Sequence, residues 1–164
     1  NSGPQGTTVT LAFVGAAEAV TATRPAVSDR RKPRVLLVDD DVSLREVYRV
    51  LLERAGWEVA QASDSDRALQ IAAVEPVDSI LVDVQMSGRD GVAIVEALAT
   101  WHPHLVNRVA LHTGYAAEER VRMMADRYGL PVIQKPCKFA LLLKTLQDLV
   151  ARAGAPGNPG GAVG

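Results

Sequence analysis

Four separate stretches of this 164-residue chain each run from apolar residues into a side chain that can do chemistry. Val35-Leu36-Leu37-Val38 leads into Asp39-Asp40-Asp41, and Ile80-Leu81-Val82 leads into Asp83. A third stretch, read as a strand over 106–112, ends at Thr113-Gly114, and a fourth, over 131–134, ends at Lys135-Pro136. Each residue alone has an ordinary explanation, since aspartates cap helices, threonine suits strands and lysine is usually a solvated charge. Jointly they place polar groups from four strands on one rim, and in an open parallel sheet ligands gather outside the carboxyl ends of the strands. Crowded carboxylates repel one another unless a cation sits among them. An oxygen-only donor set favours a hard ion, and Mg²⁺ binds through few carboxylates while keeping waters and phosphate oxygens. A carboxylate beside such an ion can attack phosphorus to give an aspartyl phosphate. The transferred oxygens would then need a metal, a lysine and a hydroxyl to neutralise them.

The elements that must position this rim are legible from periodicity. Val35 to Val38 is apolar at successive positions, as in a strand covered on both faces. Leu44, Val47, Tyr48, Leu51, Leu52 and Ala55 follow helical spacing, and Gly56 stands where that helix should end. Residues 57–61 read as a second strand, and 63–73 as a helix capped by Ser63 or Ser65. Ile80 to Val82 is the third strand, followed by a helix carrying Ile94, Val95 and Leu98. The strands at 106–112 and 131–134 each precede a further helix, the last with Phe139, Leu142, Leu143, Leu146 and Val150 on one face. Five strand–helix units over about 118 residues predict a parallel sheet with helices on both faces.

Composition narrows the classes. Hydrophobic residues make up 48% and charged residues 23%, which are globular proportions. With 18 basic against 19 acidic residues the net charge is −1, and residues 33–150 alone carry 13 basic and 17 acidic, so the nucleic-acid-binding surplus is missing. One cysteine, Cys137, excludes an intrachain disulfide and a cysteine-based zinc site, and fits a reducing compartment. No apolar run approaches the roughly 18 residues of a membrane span. The chain begins at Asn1 and reads as a fragment of a longer protein. Residues 1–32 are rich in Gly, Ala, Thr and Ser. Residues 151–164 are almost wholly Gly, Ala and Pro, and are expected to form a disordered tail.

The four blocks, Val-Leu-Leu-Val-Asp-Asp-Asp from 35, Ile-Leu-Val-Asp-Val-Gln-Met-Ser-Gly-Arg-Asp-Gly from 80, Leu-His-Thr-Gly-Tyr-Ala from 111 and Gln-Lys-Pro from 134, resemble the receiver domain of two-component response regulators. The resemblance covers 34 to about 150. It implies a doubly wound, flavodoxin-like α/β sheet of strand order 2-1-3-4-5. It further implies that Asp83 takes a phosphoryl group from a phosphohistidine. Asp40, Asp83 and the backbone carbonyl of Gln85 would bind Mg²⁺, helped by Asp39, while Thr113 and Lys135 contact the phosphoryl oxygens. The Lys135-Pro136 bond is expected cis, because the chain must turn tightly there and the family typically has it so. Three positions depart from the family's pattern. Ser87 replaces a usual proline, so the loop after Asp83 is expected to be looser. Cys137 replaces a usual Phe and reads as a small buried hydrophobe. Val132 stands where many members place a Tyr or Phe that moves on activation.

The segment Gly6-Thr-Thr-Val-Thr-Leu-Ala-Phe alternates Val9, Leu11 and Phe13 with threonines, a half-buried strand pattern over 7–14. It also resembles the glycine-threonine box and final strand of histidine-kinase ATP-binding domains. Residues 1–32 would then be the end of a kinase domain plus a linker, 33–150 the receiver and 151–164 the tail. The parent would be a hybrid sensor histidine kinase in the cytoplasm, with any membrane anchor outside this fragment. The expected partners are a histidine kinase or a histidine phosphotransfer domain, with no nucleic acid and no direct membrane contact. The isolated domain would be a phosphoacceptor module and not an enzyme. Two other readings compete. Asp39-x-Asp41-Val42-Ser43 mimics the nucleophile motif of haloacid-dehalogenase-like phosphatases, although no acidic pair follows Lys135. The fold could also serve as an unphosphorylated docking module.

Overall fold

A computed structural model describes residues 31–87, 91–114 and 118–154. The strand pattern at 7–14, the kinase-like box and residues 155–164 of the expected tail lie outside the described residues. Strands β1 (Arg34–Val38), β2 (Glu58–Ala62), β3 (Ser79–Asp83), β4 (Val109–Thr113) and β5 (Val132–Gln134) form one sheet. All neighbours are parallel and the order is β2-β1-β3-β4-β5, the order the family resemblance implies. Helices α1 (Val42–Arg54), α2 (Ser65–Val74), α3 (Gly91–Trp101), α5 (Glu119–Tyr128) and α6 (Phe139–Gly154) follow the five strands in turn, and a one-turn α4 (Pro103–Val106) precedes β4.

Period-two alternation divides each central strand between two apolar layers. Leu36, Val38, Ile80, Val82, Val109 and Leu111 face the layer formed with α2, α3 and α5. Val35, Leu37, Leu81 and Ala110 face the opposite layer, where Leu52 of α1 and Leu142, Leu146 and Leu149 of α6 pack. Coverage on both faces is why these strands read as unbroken apolar runs.

The boundaries moved for identifiable reasons. Trp57 does not begin β2, because its N–H bonds the carbonyl of Leu52 and its side chain fills the α1–α6 layer. The cap of α2 is neither serine but Asp64, whose carboxylate accepts from the N–H of Arg67 at 2.8 Å and from Ser63 Oγ at 2.9 Å. Residues 106–108 are not strand: Val106 ends α4, and the Arg108 N–H bonds the carbonyl of Leu105. Val47 and Ala55, placed on the inner face of α1 by spacing, are exposed there. Helix α6 continues through Gly154, four residues into the stretch read as tail. Past the end of α1, Gly56 has φ +89°, a left-handed conformation that glycine adopts without a Cβ penalty.

Candidate functional site at the strand carboxyl ends

The doubly wound order puts β1 and β3 side by side, so Asp39 and Asp83 emerge as neighbours where the connections diverge. Both are buried, at 5% and 6% exposure, while Asp40 is half-buried. One carboxylate oxygen from each of Asp39, Asp40 and Asp83 lies within 4.8 Å of the other two. Lys135 reaches over from the end of β5, its Nζ 2.8 Å from Asp83 Oδ2 and 3.2 Å from Asp39 Oδ2. Its N–H is fixed to the carbonyl of Thr113 at 2.8 Å, and Lys135-Pro136 is cis. Burial pulls the lysine pKa down, but the hydrogen bond it donates to Asp83 and the charges of Asp83 and Asp39 outweigh it, leaving the pKa raised. Thr113 ends β4 and is fully buried.

The loop after β3 orients two of the carboxylates. The Gln85 N–H donates to Asp83 Oδ1 at 2.9 Å, so Gln85 joins the rim through its main chain. The N–H and Oγ of Ser87 both donate to Asp40 Oδ2, each at 2.6 Å. These two bonds, side chain first, hold the Asp40 carboxyl below its ordinary pKa. The expectation of a looser loop at Ser87 therefore meets a specific tie. The close entry of α3 depends on Gly91, where a Cβ would collide with the carbonyl oxygen of Asp83.

Asp41, third of the aspartate run, faces away from this work. It caps α1, accepting from the N–H groups of Ser43 and Leu44 at 2.9 and 3.1 Å. A phosphatase reading that pairs Asp39 with Asp41 thus loses its second group to the helix. Spacing missed further contributors besides Ser87. The Arg45 guanidinium donates to the carbonyl of Asp39 and to Gln61 Oε1. Beneath the carboxylates, the buried His112 ring brings Nε2 within 3.4 Å of Tyr48 Oη and 3.7 Å of Cys137 Sγ. Cys137 is half-buried, so the small-hydrophobe reading holds only in part. His112 follows the period-two rule and was readable as inward-facing; nothing in the sequence signals its partners.

The donor set fits a hard divalent cation: its donors are all oxygen, convergent and mutually repulsive, with their exposed side toward solvent on Asp40. A five-stranded parallel sheet with an acidic cluster, a threonine and a lysine at its carboxyl edge defines a receiver-type module. The family model for the response regulator receiver domain matches residues 35–147, and the chain belongs to that family. It is similar to the response regulator protein FleR of Pseudomonas aeruginosa, 34% identical over 77% of this chain and 26% of that protein. It is also similar to the transcriptional regulatory protein ZraR of Escherichia coli K12, 30% identical over 71% of this chain and 26% of that one. The chain thus spans about a quarter of these relatives. Among solved structures, a CheY-like receiver domain protein of Methanospirillum hungatei JF-1 superposes with TM-score 0.68 at 24% identity, covering 74% of this chain and 96% of that one. The signal receiver domain of an HD domain-containing protein of Pseudomonas fluorescens Pf-5 gives 0.69 at 23%, covering 77% and 100%. These likenesses establish the fold. Among the described residues no helix is long and apolar enough to cross a membrane.

Proposed function

We propose that this domain is the phosphoacceptor of a two-component phosphorelay, with Asp83 receiving a phosphoryl group from a phosphohistidine. The observation that carries the reading is the Lys135 ammonium held between Asp83 and Asp39, with Asp40 completing the acidic cluster. In the transfer, Asp83 Oδ attacks phosphorus, an O–P bond forms, the P–N bond breaks, and the imidazole leaves and takes up a proton. The Gln85 N–H on Oδ1 fixes the rotation of the nucleophile. Lys135 is placed to exchange its bond to the Asp83 carboxylate for one to a phosphoryl oxygen, as a preorganised charge requires. The Thr113 hydroxyl is assigned a second phosphoryl oxygen. Asp39, Asp40, Asp83 and the carbonyl of Gln85 would hold Mg²⁺, which supplies charge neutralisation for the incoming anionic donor. The partner would be a histidine kinase or a histidine phosphotransfer domain in the cytoplasm. The kinase-like box near Gly6 supports a hybrid histidine-kinase parent, with 1–32 as kinase end plus linker, 33–150 as receiver and 151–164 as tail.

The test is mass spectrometry after incubation with acetyl phosphate. One added phosphoryl group is expected with Mg²⁺ and none with chelator, and Asp83→Asn should stay unlabelled. Full labelling of Asp83→Asn would move the site elsewhere. An unlabelled native chain would favour the docking-module reading.

A further inference from the structure

The three carboxylates repel one another, and they are not held equally. Asp39 and Asp83 are buried and share the Lys135 ammonium. Asp40 is half-buried and sits at the open side of the cluster, where rotation toward water would relieve the repulsion. What opposes that rotation is Ser87, which puts two donors on Asp40 Oδ2 at 2.6 Å from 47 residues away in the chain. The same loop fixes Asp83 two residues earlier through the Gln85 N–H. One short segment therefore orients both a β1-end and a β3-end carboxylate by donating at alternate residues.

We infer that Ser87 is a positioning residue for the cation site: its N–H and hydroxyl hold Asp40 in the ligating orientation against the repulsion of Asp39 and Asp83. The inference rests on the proposed cation site and goes beyond it in assigning a residue that touches a ligand of that site and not the ion. Partners that orient a ligating carboxylate typically matter 10- to 100-fold in metal affinity. A proline at this position has neither N–H nor hydroxyl, alanine keeps only the N–H, and threonine keeps both. The affinity for cation should rise in that order, from proline through alanine to threonine.

The experiment is a Mg²⁺ titration of the full chain, with no phosphodonor, followed by the amide resonances of Asp83 and Val84. Ser87→Thr should bind within about twofold of the native chain, Ser87→Ala several-fold more weakly and Ser87→Pro roughly tenfold more weakly or worse. Metal-free melting temperatures of Ser87→Thr and Ser87→Ala should match the native value, which separates positioning from a general structural role. Asp40→Ala serves as the control for the site itself. If Asp40→Ala loses affinity while Ser87→Ala and Ser87→Pro bind like the native chain, the Ser87 inference is overturned and the cation site stands. If Asp40→Ala also binds like the native chain, the cation site fails and the inference with it. Should Ser87→Pro not fold, Ser87→Ala decides: native affinity there overturns the inference.

Discussion

Replacing Lys135 with methionine removes the ammonium between two buried carboxylates and leaves an apolar side chain one atom shorter. The oxygens of Asp39 and Asp83 in the cluster are no more than 4.8 Å apart. At an effective dielectric constant of about 20, two like charges at that distance repel by at least about 3 kcal/mol. In the native chain Lys135 offsets this with contacts of 2.8 and 3.2 Å. Removing one partner of a buried ion pair costs about 3–5 kcal/mol, and the 23% exposure of the lysine side chain puts Lys135→Met near the lower end, about 3 kcal/mol. Urea unfolding at neutral pH in chelator would measure it. Added Mg²⁺ should recover more stability in the variant than in the native chain, because the ion no longer competes with an ammonium for the same oxygens. The alkaline limb gives an independent sign. The folded-state pKa of Lys135 is raised, so its stabilisation is fully present below the unfolded value of 10.5 and is lost as pH rises through the folded one. Lys135→Met should lack that loss. A destabilisation below about 1 kcal/mol, the worth of an exposed pair, would refute the reasoning. So would an identical Mg²⁺ response in the two proteins.

Two further outcomes follow from the same geometry. Asp40→Ala should leave metal-free thermal stability unchanged or higher, since it relieves repulsion at the cost of two Ser87 bonds, and its melting shift with Mg²⁺ should be smaller than the native one. Burial, with the Lys135 charge adding to it, pushes the His112 pKa down from 6.5 to about 4. A depressed folded pKa means the neutral ring stabilises the fold fully above pH 6.5 and loses that contribution as pH falls toward 4, by up to about 3 kcal/mol. Chemical denaturation across pH 7 to 4 should therefore slope less for His112→Leu than for the native chain, and equal slopes would remove His112 from the account.

Much of the architecture was legible in the chain because each central strand is covered on both faces and each ends in a polar residue. Strand order, the convergence of Asp39, Asp40, Asp83, Thr113 and Lys135 at one edge, and the cis Lys135-Pro136 bond followed from that pattern and the resemblance it carried. Local competition among similar residues was not legible. Asp39, Asp40 and Asp41 look alike in sequence, yet only the packing of α1 against the sheet turns Asp41 into a helix cap and leaves the other two at the rim. Likewise 106–112 reads as one strand, and burial of Leu105 and Val106 within a helical turn is what delays β4 to Val109. The bonds that tune the site mostly join residues far apart in the chain: Ser87 to Asp40, Arg45 to Gln61, and Tyr48 and Cys137 to His112. Side-chain type and periodicity determine which face a residue occupies, and so they determined this rim. Which partner each polar group meets there depends on interatomic distances of about 3 Å between elements, and only the folded packing sets those.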